Sequence, residues 1–104
     1  MNLPTTIAAL VAAQNSSDSQ AYADCFSETA VVFDEGKTHT GKAAIREWIE
    51  KANRQYKAVM EPLEYSPDDQ ALKAEISGTF DGSPIVLNYH LEMKDGKIQM
   101  LKIV

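Results

Sequence analysis

Two neighbouring carboxylates, Asp34 and Glu35, stand where an apolar run, Val31-Val32-Phe33, breaks off before Gly36. A carboxylate at the edge of an apolar space can act as a general base. Desolvation disfavours its charged form, raises its pKa and brings it toward the pH at which it must work. Two carboxylates divide acid and base roles only when they share a site. An extended chain sends successive side chains to opposite faces, so this pair is split. Asp34 goes with Val32, and Glu35 points the other way, as a surface residue or a partner for Arg46 or a lysine. The plainer alternative for Asp34 is a turn residue, ionised and hydrogen-bonded into the Gly36 bend.

Few other residues could join such a base. Tyr89 lies in an apolar row, Ile85, Leu87, Tyr89, Leu91 and Met93. Its hydroxyl could donate to a developing oxyanion or to Asp34. It could equally pack in the core and find one ordinary partner. Trp48 and Tyr56 share one helical stripe, and Tyr22 and Phe26 another. Aromatics at that spacing are core residues, and where helices border a pocket they line it too; Trp48 and Tyr22 are expected to reach it. His39 reads as loop surface and His90 as the mixed strand face with Val86, Asn88 and Glu92. No Cys/His/carboxylate cluster has metal-ligand spacing, no serine sits in a G-x-S-x-G elbow and no glycine loop cradles phosphate. No metal and no cofactor is expected.

The elements that position these residues read as follows. Pro4 suits a first helical turn, and Ile7, Leu10 and Val11 continue at helical spacing to about Asn15. Ser17-Asp18-Ser19-Gln20 fits a capping box that opens a second, short helix. Val31 to Phe33 is a short strand, apolar on both faces. After Thr40-Gly41, the positions Ile45, Trp48, Ile49, Ala52 and Tyr56 make the clearest amphipathic helix of the chain. The second half is strand-rich. One strand falls within Lys57 to Tyr65, with Pro62 at a bulge or edge. A turn at Ser66 to Asp69 leads to Leu72 to Phe80. Asp81 to Pro84 turns back into Ile85 to Met93. Asp95-Gly96 is a hairpin signal, and Ile98 to Val104 closes the sheet. Helices followed by a meander give an α+β fold, with N-terminal helices packed in a strongly curved antiparallel sheet.

The chain has 104 residues, which suits a single domain over 1–104. Its net charge of −5 is spread along the chain without a basic stripe, so nucleic acid is not an expected partner. The N-terminal apolar run lacks a basic n-region and is too short to span a bilayer. A lone Cys25 has no internal disulfide partner and reads as a small buried hydrophobe. These features lead to the expectation of a cytoplasmic protein without a membrane partner. The last strand is expected to leave no further segment to close a cavity.

Asp34-Glu35-Gly36, Gly41 with Ile45-Arg46-Glu47-Trp48, Gly78-Thr79-Phe80-Asp81-Gly82-Ser83-Pro84, Leu87-Asn88-Tyr89, and Asp95-Gly96-Lys97-Ile98 with Leu101 and Ile103 resemble the NTF2-like superfamily, and within it the small SnoaL-like branch. The resemblance implies a cone, in which a curved sheet wraps a long helix around an apolar pocket and the outer sheet face makes a homodimer. Ketosteroid isomerase, a cone of similar shape, uses a carboxylate base after its first strand and an oxyanion hole of a tyrosine and a protonated aspartic acid. Carried over, the base matches Asp34, the tyrosine position is Leu10 and the aspartic acid position is Tyr89. Leu10 cannot donate a hydrogen bond, whereas Tyr89 can.

The resulting expectation is a homodimeric cone that binds a small apolar or aromatic molecule against Leu10, Tyr22, Phe26, Trp48 and Tyr56. If it is an enzyme, Asp34 is the base and Tyr89 the donor in cofactor-free proton transfer of the isomerase, cyclase or dehydratase type. The alternative is a non-catalytic module that binds a ligand in the same pocket or a protein through its sheet.

Overall fold

The computed structural model of the chain describes residues 2–104. Helix α1 (Thr5–Asn15) begins after Pro4, whose φ of −53° suits a helix entry, and buries Ile7, Leu10, Ala13 and Gln14. At its end, the Asn15 side chain takes the place of a neighbouring strand. Its Nδ2 donates to the Met60 carbonyl at 2.9 Å and its Oδ1 accepts from the Met60 N–H at 2.7 Å. Helix α2 (Ser19–Asp24) is capped by Asp18, which accepts from the Ala21 N–H at 3.0 Å. The cap is one residue later than the Ser17 box predicts, because Ser17 adopts φ 53° in the tight link between the helices.

Strand β1 (Phe26–Asp34) is longer than the expected Val31 to Phe33. Its first half is polar outward, and the irregularity in its pairing with the last strand is filled by side chains. Ser27 Oγ donates to Gln99 Oε1 at 2.6 Å, and Gln99 Nε2 donates to the Thr29 carbonyl at 3.2 Å. Phe26, expected on the second helix, starts this strand. Nor is the Val31 to Phe33 run buried on both faces: Val32 is sealed in the core, whereas Phe33 is 40% exposed.

Glu35 (φ 51°) and Gly36 (φ 74°) then form a two-residue loop into β2 (Lys37–Thr40). Positive φ at both positions is the type I′ geometry that matches strand twist. The expected loop around His39 is therefore the second strand of a hairpin.

Gly41 leads into α3 (Lys42–Tyr56), which buries Ile45, Ile49 and Asn53 and ends on Lys57 in the left-handed conformation. Strands β3 (Val59–Ser66), β4 (Ala71–Ser77), β5 (Ile85–Lys94) and β6 (Lys97–Ile103) follow. The sheet order is β2-β1-β6-β5-β4-β3. Every pairing is antiparallel except β1 with β6, which is parallel. Pro62 sits on edge strand β3 beside a bulge, as its missing N–H requires. Breaks in register at β1–β6, β3–β4 and β5–β6 bend the sheet around the helices. The inner face contributes Val32, Leu72, Ala74, Leu91, Ile98 and Leu101 to a core shared with Ile7, Leu10 and Ile45. The α+β class with N-terminal helices in a curved sheet is as expected. Among the described residues no helix is long and apolar enough to cross a membrane.

Candidate functional site

Asp34 ends β1, directly opposite Lys37 of β2, while Val32 opposes His39. Strand alternation puts these four side chains on one face. That face meets α3 and the inner side of β5 around a cavity of about 880 Å³, a volume typical of small-molecule sites. Asp34, Tyr22, Trp48, Tyr56 and Tyr89 all line it. Leu10 and Phe26, expected to line it, do not; they belong to the core. Helical stripes locate the buried side of an element, but not how deep each residue sits.

The Asp34 carboxyl is half-buried, and its pKa is raised. Burial is the main cause and the neighbouring Glu35 charge the next; a positive charge on His39 acts the other way. The Trp48 indole N–H and the Glu35 backbone N–H also favour the carboxylate. They do so at geometries too long or too bent for full hydrogen bonds, since Asp34 has no side-chain hydrogen bond within 3.5 Å among the described residues. Glu35 does not point away from the site as alternation predicts. The chain turns at this residue, leaving Glu35 exposed on the cavity rim.

Tyr89 and Tyr22 supply hydroxyls. Burial pushes the Tyr89 phenol well up, and the Asp34 charge adds to this. Burial also pushes Tyr22 well up, with smaller contributions from Tyr89, Asp34 and Cys25. Both phenols therefore stay protonated at neutral pH. Neither hydroxyl bonds to a described residue. Tyr22 comes from α2, not from the α1 position of Leu10, and brings a second donor that sequence reading assigned only to pocket lining.

Aromatic packing sets the walls. Trp48 meets Tyr22 edge-on, with ring centroids 6.1 Å apart, and stacks on His39 at 5.3 Å. Tyr56 meets Phe80 edge-on at 6.0 Å. His39 is thus a half-buried wall residue and not loop surface. His90 is exposed on the outer sheet face, as its alternation predicts.

A second polar group escaped sequence reading. Gln14 and Asn53 are buried, line the cavity and are bonded to each other. The signal was present: Asn53 falls four residues after Ile49 and eight after Ile45, an amide in an apolar stripe. Among the described residues no three His, Cys, Asp or Glu side chains come together as metal ligands. The arrangement as built offers one desolvated proton acceptor, two neutral phenol donors and aromatic walls.

The sequence profile of the SnoaL-like domain matches residues 7–100. No curated protein sequence matches the chain. Among solved structures, a proposed polyketide cyclase of Sinorhizobium meliloti is 38% identical, superposes with a TM-score of 0.93, and is matched over 98% of this chain and 95% of its own. A protein of ketosteroid isomerase-like fold from Catenulispora acidiphila, in complex with trimethylamine, shares the fold at 19% identity and a TM-score of 0.86, over 99% of this chain and 86% of its own. A proposed polyketide cyclase of Pseudomonas putida does so at 22% identity and 0.77, over 100% and 91%. The chain belongs to the SnoaL-like domain family.

Proposed function

We propose that the protein binds a small, largely apolar or aromatic carbonyl compound in its cavity and moves a proton on it without a cofactor, with Asp34 as the base. The observation that carries this reading is the half-buried Asp34 carboxyl on the wall of a roomy cavity that Tyr22 and Tyr89 also line. The Asp34 carboxylate takes a proton from the carbon next to the carbonyl; the C–H electron pair becomes a C=C bond, and the carbonyl π pair moves to the oxygen. The resulting enolate accepts hydrogen bonds from Tyr22 and Tyr89. The protonated Asp34 then returns its proton to another carbon, completing an isomerisation. Alternatively, the enolate carbon attacks a second carbonyl of the same molecule, and the alkoxide formed there takes the proton from Asp34, which completes a cyclisation. The similarity to the Sinorhizobium protein, itself a proposed polyketide cyclase, favours the cyclisation branch.

The test is hydrogen exchange on 2-tetralone in D₂O, followed by NMR, with binding read separately from Trp48 fluorescence. The wild-type protein should exchange the protons next to the carbonyl faster than buffer, and Asp34→Asn should bind without exchanging. Binding without exchange in the wild type leaves a ligand carrier and removes the catalytic reading.

A second reading concerns assembly. Phe33 and Val86 project from the outer sheet face at 40% and 48% exposure, and exposed apolar side chains on a sheet favour association. We propose a homodimer through this face. Light scattering at tens of micromolar should give twice the chain mass, and a strict monomer would overturn it.

A further inference from the structure

His39 brings to the cavity wall a ring whose nitrogens bond to no described residue and enter no ion pair among them. The ring is held by stacking on Trp48. Asp34 opposes Lys37 across the hairpin and Val32 opposes His39. Asp34 and His39 are thus diagonal neighbours on one sheet face, a spacing of about 7–8 Å. A positive charge on His39 is felt by the Asp34 carboxyl. Two groups so placed can each reach about 3 Å to one of two adjacent ligand carbons or their substituents. Histidine is the side chain that both gives and takes a proton near neutral pH. A phenol or a lysine ammonium parts with its proton less readily, and Glu35 and Asp81 are exposed at the rim. No step of the proton transfer on Asp34 alone calls for His39.

We propose that His39 is the acid partner of Asp34, and that the cavity removes water from a β-hydroxy carbonyl compound. This rests on Asp34 being the base for a carbonyl ligand in the cavity. The Asp34 carboxylate takes the proton from the carbon between the carbonyl and the hydroxyl-bearing carbon. The C–H pair becomes the C=C bond of an enolate. The carbonyl then re-forms from the oxygen pair, and the C=C pair moves to join the hydroxyl-bearing carbon. The C–O bond breaks, its pair leaves with the hydroxyl oxygen, and that oxygen takes the proton of the His39 imidazolium and departs as water. Asp34 now holds one proton more and His39 one fewer, and passing that proton between the neighbours restores both. The hydroxyl that an intramolecular cyclisation leaves stands at this same β position, so the product of the cyclisation branch is itself of the substrate class.

The experiment uses 4-hydroxy-4-phenylbutan-2-one and its acetate ester. Both give the same conjugated enone, read by ultraviolet absorbance, but acetate departs without needing a proton. The wild type should form the enone from the alcohol faster than buffer does. In His39→Gln the rate on the alcohol, relative to that on the ester, should fall by about 10²-fold, the worth of one general acid. Altered wall packing or an altered Asp34 acts on both substrates and cancels in the ratio, and turnover of the ester shows that the variant is folded. An unchanged ratio would overturn the proposal and leave His39 as a wall ring. So would a wild type that exchanges 2-tetralone or eliminates acetate but does not dehydrate the alcohol, a result that needs no variant. A wild type that does none of the three would remove the Asp34 reading beneath the proposal, and the proposal with it.

Discussion

His39 lies stacked on Trp48, with ring centroids 5.3 Å apart and 27° between the planes. The hairpin brings His39 opposite Val32 on the face that carries Asp34, and α3 brings Trp48 to the same wall. Both rings act on one carboxyl. Burial and Glu35 raise the Asp34 pKa, while His39 and the Trp48 indole N–H hold it down. The base is set by this opposition, in which burial prevails.

Trp48→Phe keeps an aromatic wall and removes the indole N–H. A lowering influence is lost, so the Asp34 pKa rises further. Because the carboxylate is the working form of the base, the acid limb of the exchange-rate profile should move to higher pH. The pH dependence of 2-tetralone exchange in the two proteins checks this. An unmoved or lower limb would show that the indole does not act on Asp34.

Tyr22→Phe and Tyr89→Phe each remove one hydroxyl and little packing. If both hydroxyls hold the enolate oxygen, each change should lower kcat by about 10²-fold with a small effect on KM, as loss of one oxyanion donor does. The variants should stay folded, because neither hydroxyl bonds to a described residue. A change in only one variant would assign the donor to that tyrosine alone.

The fold was legible because its signals are local and redundant. The α3 stripe, the Asp95-Gly96 hairpin and the alternation of β5 each point to one structure. The site was legible only in part. Asp34 and Tyr89 could be placed on their inner faces by alternation alone. Tyr22 could be placed on the buried side of its helix, but its meeting with Tyr89 and Asp34 depends on how α2 lies against the sheet. His39 was misplaced because Lys-Thr-His-Thr carries no apolar alternation, and only the Glu35-Gly36 loop marks it as a strand. Leu10 and Phe26 were placed too near the cavity because periodicity gives a direction and not a depth.

Gly78 should be intolerant of any side chain. An added Cβ would run into the Tyr56 carbonyl oxygen and crowd the Phe80 ring. That carbonyl, at the end of α3, accepts from the Thr79 N–H at 2.7 Å and from the Thr79 hydroxyl at 3.1 Å. Gly78→Ala must move this cap, and with it the Tyr56–Phe80 pair at the cavity wall. A loss of about 1–3 kcal/mol is expected from such overpacking, read as a lower urea midpoint with an unchanged m-value. Wild-type stability in Gly78→Ala would mean that the loop after β4 yields freely.

Asp34→Asn should stabilise the protein at neutral pH even as it abolishes proton transfer. The folded-state pKa of Asp34 is raised, chiefly by burial and then by Glu35. Below the unfolded value of about 3.9 the carboxyl is neutral in both states, and its burial carries no charge penalty. As the pH climbs through the folded pKa, the folded protein must ionise a carboxyl that the unfolded chain ionises more easily, and stability is lost. Asparagine has the same shape and never ionises. The variant should therefore melt higher than the wild type at neutral pH, and the difference should close as the pH falls below about 4. Solvent in the open cavity screens the half-buried group, so the gain should stay under about 1 kcal/mol, a shift of no more than roughly 4–8 °C for a domain of this size. Melting temperatures of both proteins across that range check the sign. A wild type that melts higher at neutral pH would mean that the Asp34 charge is held by favourable partners, which would make it a structural carboxylate and a poor base.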